Sequence, residues 1–215
     1  MIHIDPAQVF EINNCTPQVI DIDQHRRLVR VQDFYTRPER ILELAHNIPL
    51  SCDPTVTGDF PSTPGSGRIN CSLNLSHMSR PLATILEPLL HRRPREHVEH
   101  CCTSASFMVN SLVTTGLEPQ NPHQDHPDPE LFAITIGLTP PQQCRGGTAF
   151  YTQLAHTEPT HYVTDSTAAW QLDYIAELEW NTLWAYSTSY WHTAYAQPND
   201  FPDPQQPRLT QQFFV

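Results

Sequence analysis

Hydrophobic residues recur with a helical period at two places in the N-terminal part of the chain. Thr36 and Glu39 form a capping box, and an apolar stripe follows before Pro49, made of Ile41, Leu42, Leu44 and Ala45. A second stripe begins near Ser79 and contains Leu82, Ile85, Leu86, Leu89 and Leu90. Pro88 interrupts this second stripe, so it should kink or shorten the helix. The pattern therefore predicts two amphipathic helices.

Polar segments rich in turn-forming residues surround these helices. Residues 19–22 and 28–31 alternate weakly about a polar turn at 23–25, which predicts a β-hairpin. Residues 51–68 are rich in proline and glycine and predict a long loop, either a lid or binding segment or an ordinary surface excursion. The basic run at 91–95 either binds an anion or is a solvated helix end whose cations complement the helix dipole.

From about residue 98 onward the helical period disappears. Short apolar or alternating runs replace it, separated by clusters of proline, glycine and asparagine, and they cover residues 106–112, 131–138, 148–151, 168–174, 182–186 and 209–215. This texture predicts a mainly β fold, with a pair of antiparallel sheets and two or three helices packed outside. We expect one domain over residues 1–215, with the hairpin and helices in 1–97 and the β core in 98–215.

The composition narrows the possible function classes. The 215 residues include 12 basic residues, all of them arginine, and 23 acidic ones, for a formal net charge of -11. This charge repels phosphate backbones and argues against a nucleic-acid partner. The absence of lysine excludes a Schiff-base lysine and a P-loop lysine. The chain also lacks GxGxxG and GxSxG patterns, which excludes a dinucleotide fingerprint and a hydrolase nucleophile elbow.

Nothing in the sequence indicates a membrane or an oxidising compartment. Residues 1–10 lack the basic start and the apolar stretch of a signal peptide, and no apolar run is long enough for a membrane helix. The six cysteines, at positions 15, 52, 71, 101, 102 and 144, contain no CxxC pair. We therefore expect reduced thiols, a cytoplasmic location and no membrane partner.

One short segment carries the strongest chemical signal. It contains two overlapping HxD pairs, His123 with Asp125 and His126 with Asp128. Side chains two residues apart on an extended chain point to the same side, so either pair could direct an imidazole and a carboxylate at one metal ion. We favour the first pair, because two prolines constrain the backbone around the second. An HxD triplet can also be an ordinary hydrogen-bonded turn.

A third ligand from a distant strand would complete the site. Two imidazoles and one carboxylate form a facial set that suits iron(II) and leaves coordination positions open. His192 follows an aromatic strand and is our preferred third ligand. His156 and His161 compete with it, but they lie in a loop rich in proline and threonine.

The C-terminal half also offers a receptor for an anion. Gly146 and Gly147 directly precede a strand, and Arg208 and Thr210 lie two residues apart on the last strand. Alternation along that strand places the last two side chains on one face. A planar guanidinium beside a hydroxyl is suited to binding one carboxylate.

Four motifs follow one another along the chain: the HxD pair, the glycine pair, a distal histidine and Arg-x-Thr. This order resembles the iron(II)- and 2-oxoglutarate-dependent oxygenases over roughly residues 100–215, with a weaker similarity at 33–39. The resemblance implies a double-stranded β-helix, a cupin-like jelly-roll, with the N-terminal helices packed outside. It implies a catalytic Fe(II) centre held by His123, Asp125 and His192. It further implies that Arg208, helped by Thr210, binds the distal carboxylate of the cosubstrate 2-oxoglutarate, and that O2 is consumed. Asn110, on the strand before the HxD pair, could hydrogen-bond that cosubstrate.

The expected function is therefore oxidation of an unactivated C–H bond in a small molecule, such as a free or carrier-tethered amino acid or a related metabolite. Hydroxylation is the default outcome, and ring closure or desaturation are other endings. Two alternatives stay open: a cupin-like metal enzyme that does not use 2-oxoglutarate, and a non-catalytic metal-binding module. Four aromatic residues either line a substrate pocket or belong to the core, namely Trp184, Tyr186, Tyr190 and Trp191.

Overall fold

The computed structural model describes residues 5–47, 66–71, 75–90, 107–114, 121–156, 163–203 and 205–215. Within these residues the protein is mainly β, with two antiparallel sheets and three α-helices. The helices are α1 (Pro6–Val9), α2 (Pro38–Asn47) and α3 (Ser79–Leu86). The strands are β1 (Gln18–Asp21), β2 (Arg27–Val31), β3 (Ser66–Cys71), β4 (Phe107–Leu112), β5 (Phe132–Gly137), β6 (Gly147–Gln153), β7 (Trp170–Glu177), β8 (Leu183–Ser187), β9 (His192–Tyr195) and β10 (Arg208–Phe214).

The predicted N-terminal elements are confirmed. Strands β1 and β2 form the antiparallel hairpin, and α2 buries Ile41 and Ala45 from its apolar stripe. The second helix ends at Leu86, and a 3-10 turn, Glu87–Leu89, continues it. Pro88 lies in that turn, as expected for a residue that cannot donate an N–H to the helical ladder.

One boundary was wrong. The predicted loop at 51–68 overlaps β3, which begins at residue 66 and pairs with β4 along its whole length. Sheet pairing therefore overrides the turn-forming composition at the end of that segment. Residues 51–65 and the basic run at 91–95 lie outside the described residues. Strand β9 was also absent from the prediction, because four residues carry too little periodicity to be recognised.

The strands form a larger and a smaller sheet. In the described part of the chain, the larger sheet has seven strands in the order β1-β2-β8-β5-β10-β4-β3, and the smaller sheet has three in the order β7-β6-β9. The N-terminal hairpin extends the larger sheet, since β2 pairs with β8. From β5 onward the chain contributes strands to both sheets: β5, β8 and β10 belong to the larger sheet, and β6, β7 and β9 to the smaller one.

The larger sheet has two apolar faces, each with its own partner. One face packs against the helices, with contributions from Ile134, Ile136, Leu183, Ala185, Leu209, Phe213, Ile41, Leu82 and Leu86. The other face meets the smaller sheet through the intersheet cluster, which consists of Leu28, Ala133, Phe150, Ala176, Trp184 and Tyr186. The period-two alternation of the strands accounts for this division. The space between the sheets is therefore bounded by both, and Arg208 of β10 crosses it to contact Gly147 of β6.

Close backbone approach at one end of this space requires glycine. Gly146 has a φ of +68°, a conformation that residues with a side chain rarely adopt. A Cβ added to Gly147 would lie 2.0 Å from the carbonyl oxygen of Ala176 on the neighbouring strand. Backbone atoms cannot move aside as a flexible side chain can, so Gly147 is needed for β6 and β7 to pair as they do. A Cβ added to Gly146 would lie 2.0 Å from the carbonyl oxygen of Tyr195, at the end of β9.

We therefore expect Gly147→Ala to lower the free energy of unfolding by about 1–3 kcal/mol, the usual effect of overpacking. Urea denaturation followed by circular dichroism measures this change. Ala155→Val is the matched control, because Ala155 is exposed and should change the free energy by less than about 0.5 kcal/mol. Equal stability of the two variants would contradict the assigned packing.

Candidate metal centre

Backbone pairing brings two distant parts of the chain together at the candidate site. His123 lies in the segment before β5, and His192 is the first residue of β9. Each donates its backbone N–H to the carbonyl of the other, at 2.8 and 2.9 Å, which forms an isolated antiparallel bridge. His192 also pairs with Phe150 of β6. The two imidazoles are thereby held side by side, with ring centroids 4.6 Å apart.

The three predicted ligands converge in space. The distance from His192 Nε2 to Asp125 Oδ2 is 3.3 Å, and from His123 Nε2 to Asp125 Oδ1 it is 3.7 Å. One ligand atom from each of the three residues lies within 4.8 Å of the others. Ligands bound at right angles to one ion at about 2.1 Å are about 3 Å apart, so small side-chain rotations complete the geometry. His123, Asp125 and His192 could therefore hold a metal ion.

The two imidazoles differ in how firmly they are held. His192 is buried, and its Nδ1–H donates to the backbone carbonyl of Tyr190 at 2.8 Å. Because a carbonyl can only accept, Nδ1 carries the hydrogen of this contact, and Nε2 is the ring nitrogen that faces the carboxylate and could bind a metal. The side chain of His123 is 54% exposed and that of Asp125 only 14% exposed. The site is thus supported on the His192 side and open to solvent on the His123 side.

The second HxD pair forms a local turn. The backbone N–H of Asp128 donates to His126 Nδ1 at 3.1 Å, and Asp128 Oδ1 accepts from the N–H of Glu130 at 2.9 Å. Among the described residues, the only group of histidine, cysteine and acidic side chains placed to hold a metal contains His123, Asp125 and His192. His156 is exposed and does not belong to it, and residue 161 lies outside the described part of the chain.

Arg208 and Thr210 project into the space between the sheets, on the face of β10 opposite the helix-packed residues. Both are buried. Arg208 Nη2 donates to the carbonyl oxygen of Gly147 at 2.9 Å. The hydroxyl of Thr210 is buried and has no hydrogen-bond partner among the described residues. Buried polar atoms are normally paired, and a polar ligand between the sheets could pair with this hydroxyl.

A narrow cleft between the sheets lies beside Arg208. Its walls include Thr135 and Trp184 from the larger sheet and Gly147 and Thr148 from the smaller one. Asn110, predicted to face a cosubstrate, pairs through its backbone with Thr210. The described structure gives Asn110 this backbone position only, so its side-chain role stays a prediction.

Sequence reasoning gave no polar role to Tyr186 and did not single out Thr135. Tyr186 packs edge to face against His192, with ring centroids 5.1 Å apart. Burial raises the pKa of Tyr186 well above its usual value, and the nearby Asp125 carboxylate raises it further. A hydrogen bond with Thr135 and the charge of Arg208 act in the opposite direction. The neutral phenol thus lies within the electrostatic influence of both Asp125 and Arg208, which no sequence pattern indicates.

The four aromatic residues with two candidate roles are mainly packed. Trp184 and Tyr186 belong to the intersheet cluster, and Tyr190 packs against it. Trp191 lies on the outer face of the smaller sheet, where its ring is 5.2 Å from that of Trp170. Core packing is therefore their first role, although the ring of Tyr186 also forms one wall beside His192.

No protein-family model matches the chain, and no curated protein matches it either. No helix in the described residues is long and apolar enough to cross a lipid bilayer. The geometry of the His123, Asp125 and His192 group therefore carries the functional interpretation.

Loss of a ligand should abolish tight metal binding. We expect His192→Ala and Asp125→Ala each to weaken Co(II) binding by more than about 100-fold. Loss of a residue that only contacts a ligand weakens binding by up to about that factor, and loss of the ligand itself should cost more. Isothermal titration calorimetry measures this affinity. His126→Ala and Asp128→Ala are the matched controls and should bind Co(II) like the parent protein. An effect of Asp128→Ala equal to that of Asp125→Ala would show that the wrong HxD pair was chosen.

Proposed function

We propose that the protein is an iron(II)- and 2-oxoglutarate-dependent oxygenase that oxidises an unactivated C–H bond of a small molecule. One observation carries the proposal: the His–Asp–His group and the buried Arg208 are both held against strand β6, through the pairing of His192 with Phe150 and the hydrogen bond of Arg208 to Gly147. The first suits a ferrous ion with open coordination positions, and the second suits a carboxylate.

The order of the strands supports a double-stranded β-helix. The larger sheet contains β4, β10, β5 and β8 as neighbours, and the smaller sheet contains β7, β6 and β9. The bridge from His123 to His192 extends the smaller sheet by one more position. The chain between β5 and β10 contributes strands to both sheets. This connectivity is what a jelly-roll requires, and its metal ligands would then come from adjacent positions of the smaller sheet.

The donor set fits the metal that the proposal requires. Two neutral imidazoles and one carboxylate form the facial triad of non-haem iron(II) enzymes. Asp125 is held close to both imidazoles, and the Tyr190 carbonyl fixes the tautomer of His192. When bound, a ferrous ion together with 2-oxoglutarate and O2 supplies the oxidation of a C–H bond, with 2-oxoglutarate consumed to succinate and carbon dioxide.

Arg208 and Thr210 would bind the remote carboxylate of 2-oxoglutarate. Arg208 contacts Gly147, and His192 pairs with Phe150, so the two ends of the site are three residues apart along β6. Three residues of a strand span about 10 Å. This separation suits a short dicarboxylate that contacts the metal with one end and the guanidinium with the other. Burial strengthens the ion pair, because a low local dielectric screens it less than water does.

The substrate would approach from the open side of the site. His123 is the exposed ligand, whereas His192 and Arg208 are buried between the sheets. The cosubstrate then occupies the inner side, and a small molecule such as an amino acid or a carrier-tethered metabolite enters from the outer side. The net charge of -11 repels phosphate backbones and so argues against a nucleic-acid substrate.

Release of succinate tests the proposal. The protein loaded with Fe(II) under anaerobic conditions and then given O2 should convert 2-oxoglutarate to succinate, and a panel of amino acids should include one that stimulates the rate. Absence of succinate release and of 2-oxoglutarate binding, in protein that does hold metal, would favour the cupin-like alternative. If the protein also binds no metal, both the oxygenase and the cupin-like metal enzyme are contradicted.

Arg208→Ala should raise the KM for 2-oxoglutarate by about 30-fold or more, because loss of one partner of a buried charge pair costs about 2–5 kcal/mol. Co(II) affinity should stay unchanged, since Arg208 is not a ligand. The control is Arg145→Ala, which removes an exposed arginine. Parent-like use of 2-oxoglutarate by Arg208→Ala would remove the carboxylate site from the proposal.

A further inference from the structure

Tyr190 contacts the N-terminal hairpin with one end and the candidate metal ligand with the other. Its phenol oxygen accepts a hydrogen bond from the backbone N–H of Arg27 at 3.2 Å. Its backbone carbonyl accepts from His192 Nδ1 at 2.8 Å. Between these contacts the ring packs edge to face against Phe150, with centroids 6.5 Å apart. Tyr190 therefore connects the hairpin directly to the imidazole of His192, with one hydrogen bond at each end.

The hairpin itself is tied to the smaller sheet by Arg26. The Arg26 guanidinium donates to Asp173 Oδ2 at 2.8 Å and to the carbonyl of Tyr151 at 3.0 Å, and its Nε donates to Asp23 Oδ2 at 2.7 Å. One side chain thus joins the turn of the hairpin to both β6 and β7. We call this set of contacts the Arg26 clamp.

The degree of burial shows which ion pair of the hairpin contributes more to holding it in place. The side chains of Arg26 and Asp173 are 17% and 10% exposed, so solvent screens their interaction only weakly. The neighbouring pair of Arg27 with Asp21 has side chains that are 50% and 65% exposed. Exposed pairs of this kind contribute little to stability. The Arg26–Asp173 pair crosses to the smaller sheet and the Arg27–Asp21 pair stays within the hairpin, so the two provide an internal comparison.

We propose that the β1–β2 hairpin positions His192 through Tyr190, so that Tyr190 is a positioning residue of the metal site. The Arg26 clamp fixes the hairpin, the Arg27 N–H fixes the Tyr190 ring, and the Tyr190 carbonyl fixes the imidazole with Nε2 toward Asp125. This inference rests on the proposed metal-dependent function, because it concerns the orientation of a metal ligand. The hairpin is then part of the site, although it supplies no ligand.

Co(II) binding to the full chain tests this coupling, with calorimetry for affinity and visible absorption for ligand geometry. Tyr190→Phe keeps the ring and the carbonyl but removes the acceptor of the Arg27 N–H. It should weaken Co(II) binding by less than about tenfold, the factor that marks loss of an outer-shell contact itself, because the carbonyl is kept, and it should change the visible bands. Arg26→Gln should act in the same direction. The double variant should lose less affinity than the product of the single losses, because both act through one path.

Two control variants separate positioning from general destabilisation. Tyr195→Phe removes a phenol from the outer face of the same sheet, and Asp21→Asn breaks the exposed pair within the hairpin. Both should bind Co(II) as the parent does. If Tyr190→Phe fails to fold, Asp173→Asn tests the same path by weakening the Arg26 clamp from the opposite side.

The outcomes distinguish this inference from the proposed function. Parent protein that binds no Co(II) overturns both. Tight binding by the parent together with unchanged affinity and spectra in Tyr190→Phe, Arg26→Gln and Asp173→Asn overturns the positioning role alone. Selective losses in these variants, with unchanged controls, support it.

Discussion

The reciprocal backbone hydrogen bonds between His123 and His192 are the constraint on which the candidate site depends. They join a loop that precedes β5 to the first residue of β9, the edge strand of the smaller sheet. Backbone bonds fix the two Cα positions whatever the side chains do, and the rotamers need to supply only the last adjustment. A site built in this way is preorganised by sheet pairing, which is more precise than a site made of loops alone.

The two faces of the larger sheet have different roles: one packs against the helices and stabilises the fold, and the other carries the polar groups of the candidate site. On β10, Leu209 and Phe213 pack with the helices, whereas Arg208 and Thr210 face the smaller sheet. The apolar face contributes the burial that stabilises the fold, so the other face can carry polar groups whose burial is costly. The close approach of β6 and β7 at Gly147 brings a carbonyl to Arg208 and keeps this end of the intersheet space narrow.

Local periodicity explains what could be predicted from the sequence. The spacing of His123 and Asp125, the shared face of Arg208 and Thr210, and the stripe of α2 all follow from periods of two or 3.6 residues. Strand β3 escaped prediction because its sequence, SGRINC, is short and polar, and pairing with β4 gives it its structure. Tyr190 and Arg26 escaped as supporting residues because the contacts that join the hairpin to the site, Arg27 to Tyr190 and Arg26 to Asp173, link residues far apart in the chain. Such contacts depend on tertiary approach and leave no period in the sequence.

The unequal support of the two imidazoles has an energetic consequence. His192 already has its ring orientation set by the Tyr190 carbonyl, and it packs against Tyr186 and Phe150. His123 keeps an exposed side chain. Ordering a side chain costs conformational entropy, so the entropy lost on metal binding falls mainly on His123. The fixed half of the site faces the space that contains Arg208, and the adaptable half faces solvent. In the proposed oxygenase this division gives the cosubstrate a rigid receptor and leaves adjustment to the side from which the substrate enters.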